Sequence, residues 1–266
     1  MCETCGCGEP GEFTVSKPHD HSHDAGHKHD HEHGHDHVHG PDTHTHEPGS
    51  QRKILDVNKH ILYENNLIAA RNRGYFEGRK ITCFNLVSSP GSGKTTLLER
   101  TITALKDEVK IATIEGDQQS VIDADRIQKT GTPVIQVNTG MGCHLDARMV
   151  SKAMNELPVA EHSILFIENV GNLVCPALFD LGESKRILIM SVTEGDDKPL
   201  KYPAMFRSAH LCIINKTDLL PYVTFSVEKA IQNASAINPD LEFIQLSATT
   251  GDGVGEWLDY CKKLVL

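Results

Sequence analysis

The chain has 266 residues, 39% hydrophobic and 23% charged, with a formal net charge of −10; that is enough to bury one substantial core and carry an appendage. Ten acids against two bases place −8 of that charge in residues 1–50, which leaves the remainder nearly neutral and, with no basic stripe, excludes nucleic acid as an expected partner. No apolar run can span a bilayer and no signal-peptide core opens the chain, so no membrane association is expected and the cytoplasm is the expected compartment.

In that compartment the eight cysteines read as metal ligands or core thiols rather than disulfides. Three of them, Cys2, Cys5 and Cys7, fall within six positions around Gly6. Such a segment can fold three sulfurs onto one ion, and loss of Met1 would free the Cys2 α-amino group as a fourth donor. A planar arrangement would favour Ni²⁺ and a tetrahedral one Zn²⁺. From His19 to His46 run twelve of the sixteen histidines, interleaved with Asp, Glu and Gly. Nothing here is apolar enough to repay the entropy of folding, so residues 1–50 read as a disordered tail, closed by a linker at Pro41, Pro48 and Gly49. Overlapping imidazole sets suit exchangeable buffering of borderline metals.

Residues 51–266 read as one domain. Ile54, Val57, Ile61 and Ile68 predict an amphipathic helix to about Arg73. Strands follow near 81–87, 109–115, 133–137, 163–168, 186–192, 211–215 and 241–246. Helices alternate with them near 94–106, 120–129, 146–156, 201–207, 225–236 and 254–264. Such alternation predicts an α/β fold with a mostly parallel sheet, helices on both faces, and a site at the C-terminal strand ends.

The first of these strands runs into Ser88-Ser89-Pro90-Gly91-Ser92-Gly93-Lys94-Thr95-Thr96, a phosphate loop opening a helix. Gly91 and Gly93 admit a phosphate close to the backbone, the amides around Ser92 and Thr96 add to the cradle, Lys94 reaches the β- and γ-phosphates, and Thr95 offers a hydroxyl to Mg²⁺. The usual pattern has Gly where Ser88 stands. Asn215-Lys216-Thr217-Asp218 ends a later strand; a carboxylate at Asp218 accepts from both N–H edges of guanine, whereas adenine would leave it unpaired. Amides of Ser247 and Ala248, after the last strand, can meet guanine O6. Together these make GTP the expected nucleotide.

Glu168 ends the strand Ile164–Ile167 and is placed to act through the Mg²⁺ shell; Asp117, after Glu115-Gly116, is a second candidate. The Gly171 amide can sense the γ-phosphate. Asn172 stands where a water-orienting glutamine would follow, so a slow GTPase that behaves as a switch is expected. Cys175 lies seven positions past Glu168, while Cys143 and His144 follow Gly142. Cys143, His144 and Cys175 can form a Cys₂His metal set with one open place; two buried thiols and a helix-start histidine are an equal reading of the same spacing. If the set holds metal, metal affinity and nucleotide state depend on one another.

The Cys2-Cys5-Cys7 cluster, the histidine tract, the Ser88–Thr95 loop, Glu115-Gly116-Asp117, Gly142-Cys143-His144, Glu168 to Pro176 and Asn215 to Asp218 together resemble the HypB family of hydrogenase nickel-incorporation GTPases, over nearly the whole chain. In that family the Ser88 departure is itself usual. The resemblance implies a P-loop NTPase fold of the dimerising SIMIBI class, with nucleotide near a homodimer interface. It implies a tight nickel site at Cys2, Cys5 and Cys7, and a weaker Ni²⁺/Zn²⁺ site at Cys143, His144 and Cys175. It further implies nickel delivery to the [NiFe] hydrogenase large-subunit precursor, with a HypA-type accessory protein as partner. Two alternatives are a urease-type nickel-insertion GTPase, which lacks the Cys2-Cys5-Cys7 cluster, and a nickel storage protein with a vestigial G domain, against which Lys94, Thr95, Glu168 and Asp218 stand.

Overall fold

The computed structural model describes residues 13–17, 48–117, 122–140 and 142–265, and for residues 48–58 the helical backbone alone. Among them, strands β1 (Thr14–Ser16), β2 (Ile81–Ser88), β3 (Lys110–Asp117), β4 (Val134–Asn138), β5 (Ser163–Glu168), β6 (Lys185–Ser191), β7 (Leu211–Asn215) and β8 (Glu242–Gln245) form one sheet in the order β1-β4-β3-β5-β2-β6-β7-β8. Every neighbouring pair is parallel except β1 with β4. The chain leaves β2 for β3 on one side and reaches its other side only at β6, so a crevice opens above the C-terminal end of β2. In open α/β sheets that is where ligands bind.

The helices are α1 (Pro48–Gly78), α2 (Lys94–Leu105), α3 (Ile122–Gln128), α4 (Ala147–Glu156), α5 (Lys198–Lys201), α6 (Pro203–Ser208), α7 (Val227–Ser235) and α8 (Val254–Val265). Central strands are buried on both faces and therefore read as largely apolar runs. Phe84 and Leu86 of β2 face Leu97, Leu98, Ile102 and Leu105 of α2 and Trp257 of α8. The next residues along the strand point the other way, Ile81 and Cys83 meeting Phe76 of α1 and Val150 and Ala153 of α4. A third cluster packs Val87 and β6–β7 residues against Met205, Phe206, Ala230 and Ala234 of α6 and α7. Trp257 also donates its indole N–H to Thr101 Oγ1 at 2.8 Å, so the largest buried side chain leaves no polar group unpaired.

Three elements depart from the sequence expectations by more than the usual slip of one or two residues at an end. Thr14–Ser16, read as part of the disordered tail, is a strand, because Phe13 and Val15 pack against the α4 side of the core. The leading helix begins at Pro48, read as linker, and runs past Arg73 to Gly78, where Phe76 is buried. Two short helices, Lys198–Lys201 and Pro203–Ser208, stand where one is expected over 201–207, since Tyr202 precedes Pro203 and a residue before proline is pushed out of helical geometry. Of the helix expected over 120–129, the described residues hold Ile122–Gln128.

Helix α1 is fastened by side chains rather than by its apolar face alone. Asn72 donates to Ala147 O and Leu181 O, Asn65 spans Asp180 O and Ala147 N, and Arg73 meets Asp180 at 2.8 Å. Gly182 lies at φ 90°, with the α1 backbone so near that a Cβ would come within 2.6 Å of Ala69 O. No helix among the described residues is long and apolar enough to cross a membrane.

Candidate nucleotide and metal centres

The phosphate loop turns between β2 and α2. Gly91 (φ 72°) and Gly93 (φ 91°) hold left-handed backbone, and a Cβ on Gly93 would lie 2.5 Å from Asn215 Nδ2. Only glycine fits there. Ser88 is still strand; it is buried and its hydroxyl donates to Ser89 O at 2.8 Å, so a side chain is accommodated where the usual pattern has glycine.

Asn215 and Lys216 brace the loop from the end of β7. Asn215 Nδ2 donates to Ser92 O at 2.8 Å, and its Oδ1 accepts from the amides of Lys216 at 2.7 Å and Ala248 at 3.0 Å. Lys216, itself at φ 63°, donates to Gly91 O at 2.7 Å. One asparagine thus ties the Ser88–Thr96 loop, the β7 end and the Ser247–Ala248 turn into a single wall. Asp218 presents Oδ1 buried and without a hydrogen-bond partner, as does the Ser92 hydroxyl.

At the phosphate end, Glu168 is fully buried and its Oε1 accepts from both Lys94 Nζ and Thr95 Oγ1, each at 2.6 Å. Burial works against the Lys94 charge, yet the Glu168 and Glu115 carboxylates outweigh it and raise its pKa. Glu115, Asp123 and Glu168 each bring a carboxylate oxygen within 4.8 Å of the others. Glu115 Oε2 and Glu168 Oε2 are buried without hydrogen-bond partners. Desolvation first, and the Glu168 charge next, push the Glu115 carboxyl well above its ordinary range, with Lys94 opposing. Such oxygen-rich, charge-frustrated carboxylates suit a hard divalent cation. Asp117 stands two residues beyond Glu115; it lies outside the trio but near enough to add to the upward push on Glu115.

Glu115 and Asp123 escaped the sequence reading. An acid directly after the mostly apolar run Ile111–Ile114, within one strand, is a signal that could have exposed Glu115; Asp123, on α3, carries none. Lys198 was also missed: from the start of α5 its ammonium reaches Ser89 Oγ at 3.2 Å and Glu194 at 3.4 Å.

Beyond Glu168 the chain passes directly against the loop. A Cβ on Gly171 would sit 3.1 Å from Pro90 Cα. Four residues later Cys175 opens a 3₁₀ turn (Cys175–Ala177), with its sulfur 2.6 Å from Cys143 Sγ. His144 Nδ1 is 3.8 Å from Cys143 Sγ, and all three ligand atoms lie within 4.8 Å of one another. The Phe179 ring lies against the His144 ring, tilted by 32° with centroids 3.9 Å apart. Burial lowers the His144 pKa against the pull of Asp146, favouring the neutral imidazole that ligates metals. Asp146 caps α4 by accepting the Met149 amide at 2.7 Å, which fixes the loop just before it. Between the two centres, Asn169 Oδ1 accepts the amides of Leu145 at 3.1 Å and Val170 at 3.0 Å.

The structure therefore gathers Lys94, Thr95 and Glu168 at one point, Asn215, Lys216, Ser247 and Ala248 along one wall, and Cys143, His144 and Cys175 at a second centre. Cys83, Cys212 and Cys261, expected to be core thiols, are buried. Cys2, Cys5, Cys7 and the His19–His46 tract lie outside the described residues.

The profile described as "CobW/HypB/UreG, nucleotide-binding domain" matches residues 82–245. The chain is 51% identical to the hydrogenase maturation factor HypB of Escherichia coli K12, in an alignment covering 98% of each. Among solved structures it is similar to the hydrogenase maturation factor HypB of Archaeoglobus fulgidus, with TM-score 0.72 and 40% identity over 77% of this chain and 100% of that one. It is also similar to HypB from Helicobacter pylori in complex with nickel, with TM-score 0.70 and 36% identity over 75% of this chain and 94% of that one.

Proposed function

This chain belongs to the HypB branch of the CobW/HypB/UreG family of nucleotide-binding proteins, and from that membership we propose that it acts in hydrogenase maturation as a nickel-carrying GTPase whose nucleotide state sets its grip on the metal. The observation that carries this reading is the placement of Cys175: it meets Cys143 and His144 on the same segment that runs from Glu168 past Pro90 of the phosphate loop.

GTP is the nucleotide this site favours. Asp218, with an unpaired buried oxygen, would accept the guanine N1–H and 2-amino group, and the Ala248 region faces O6. Lys94, Thr95 and the loop amides would take the phosphates. Thr95, Glu168 and Glu115, joined by Asp123 or Asp117, are the residues that would hold Mg²⁺, which when bound offsets the charge of the β- and γ-phosphates. The chain's own part is then positional. Lys94 would exchange its Glu168 partner for phosphate oxygen, which would leave the Glu168 carboxylate as one of the groups that would hold Mg²⁺. The Gly171 amide meets the γ-phosphate and, on its loss, lets the Leu173–Cys175 stretch relax.

Nickel is the cargo. Its weaker seat is Cys143, His144 and Cys175, where Zn²⁺ would also bind, and its tighter one is Cys2, Cys5 and Cys7, with the histidine tract as a reserve. Delivery runs to the [NiFe] hydrogenase large-subunit precursor with a HypA-type accessory protein, from a homodimer formed around nucleotide in the cytoplasm. A deletion strain carrying Lys94→Ala tests this reading: hydrogenase activity should stay low where the wild-type chain restores it. Restoration by Lys94→Ala would favour storage, and loss of urease activity alone would favour the urease-type role.

A further inference from the structure

Helix α1 grips both stretches of chain that carry the Cys143, His144 and Cys175 ligand atoms. The first stretch enters α4 at Ala147, three residues past His144, and the second runs on from Cys175 to Asp180 and Leu181. Asn65 accepts the Ala147 amide at 2.9 Å and donates to Asp180 O at 2.8 Å. Asn72 donates to Ala147 O at 2.9 Å and to Leu181 O at 3.1 Å. Each asparagine therefore ties one stretch to the other. The two stand seven residues apart in α1, two helical turns, and so share one face.

A helix that had only to cover the sheet would need apolar residues there, such as the Ala69 and Phe76 it also buries. Asn65 and Asn72 are each 6% exposed, and a buried amide costs stability unless its hydrogen bonds are made. The Ala147 amide is the first of α4 and finds no acceptor within that helix, so Asn65 also completes its start. Two further contacts press the Cys175 stretch onto α1. Arg73 meets the Asp180 carboxylate at 2.8 Å, and Gly182, at φ 90°, has no room for a Cβ against Ala69 O. On the other side of Cys175, Asn169 accepts the Leu145 amide. The sulfurs thus meet between two ties. Ala147, Asp180 and Leu181 all lie outside the Ser88–Thr96 loop and the Asn215–Asp218 segment.

We propose that α1 is the splint of the Cys143–His144–Cys175 centre, with Asn65 and Asn72 as positioning residues that fix the separation of its two stretches and hence its affinity for a soft divalent ion. This rests on the reading that the three side chains hold the ion. Metal–ligand distances tolerate only about 0.2 Å of error. Ligands on two independent stretches meet that demand only if something outside the metal holds the stretches together, and groups that orient ligands in this way are worth about 10–100-fold in metal affinity.

The test uses the full chain bound to GDP, with Cys2, Cys5 and Cys7 replaced by serine. Nickel is titrated while thiolate-to-nickel absorbance is followed, to which the histidine tract does not contribute. Asn65→Leu combined with Asn72→Leu keeps the bulk of both side chains and cuts both ties. Nickel affinity should fall about 10–100-fold while GDP affinity stays that of the parent. The absorbance at saturation should drop toward that of a Cys175→Ser chain, where one thiolate remains; a loss of stability alone would not change the number of sulfurs on the ion. If the leucine pair fails to bind GDP, Asn65→Ser with Asn72→Ser takes its place, since water can pair the freed groups without spanning the two stretches. Unchanged nickel affinity and absorbance in a GDP-binding variant overturns the splint and leaves the metal reading standing. No nickel binding by the parent chain overturns the metal reading itself, and the splint with it.

Discussion

The side chain of Asn169 accepts the backbone amide of Leu145 at 3.1 Å, linking the residue after Glu168 to the residue after His144. The two segments that carry the candidate metal ligands, one ending at Cys175 and the other at Cys143–His144, are thus joined beside Glu168 as well as at the sulfurs. Asn169 is buried, and its Nδ2 also donates to Asn85 Oδ1 at 3.3 Å, while Asn85 Nδ2 donates to Glu183 Oε1 at 3.1 Å. Asn169→Ala leaves two buried amides unpaired, at a cost of about 1–3 kcal/mol each in the worst case. Nickel affinity at the Cys143 site should then lose most of its dependence on nucleotide while GDP still binds. Calorimetric titrations of nickel in the two nucleotide states check this.

Lys94→Ala removes the only cation that shares a hydrogen bond with Glu168 among the described residues. Loss of one preorganised charge contact of this kind lowers turnover by about 10²–10³. Phosphate release under saturating GTP should fall accordingly, and Lys94→Arg should not restore it, because the larger guanidinium cannot take the place of the ammonium beside Thr95.

Asp218→Ala should abolish the preference for guanine. A site built to hydrogen-bond a substrate edge loses discrimination of up to about 10⁴–10⁵ when that partner is removed. Competition between GDP and ADP reads it directly. Retained guanine preference would place base recognition in the Ser247–Ala248 turn alone.

Burial raises the Glu115 carboxyl well above its normal range, with the Glu168 charge adding to the shift. The folded state then keeps a proton that the unfolded chain releases near pH 4.3. Stability from this source is therefore full below that pH and is lost as pH rises through the folded-state pKa. In metal- and nucleotide-free protein, urea unfolding should show this loss toward neutral pH, and Glu115→Gln should flatten it. The same variant should weaken Mg²⁺ binding, and in the wild type Mg²⁺ affinity should climb with pH because the ion displaces the proton.

Much of this was legible from residue order. Buried parallel strands such as Ile81–Ser88 and Ser163–Glu168 announce themselves as apolar runs ending in Gly-rich or acidic residues, and the nucleotide motifs sit at those ends. The convergence of Cys143, His144 and Cys175 was open on spacing alone and is a feature of the fold. What stayed hidden was tertiary in origin. Asp123 joins Glu115 and Glu168 only because α3 returns beside α2, where Arg126 pairs with Glu99. The buried Arg186–Glu183 pair depends on the turn at Gly182. Strand β1 was lost inside a polar tail because its signal is two apolar residues, Phe13 and Val15, that mean nothing without the α4 surface to receive them.

The coupling between nucleotide and metal is measured most directly in a chain with Cys2, Cys5 and Cys7 replaced by serine, titrated with nickel in the presence of GDP and then of a non-hydrolysable GTP analogue. The expected result is a difference in affinity of about 5–150-fold between the two states, the range typical of linked sites. Equal affinities in both states would contradict it, leaving a GTPase and a metal site that share a chain without sharing a mechanism.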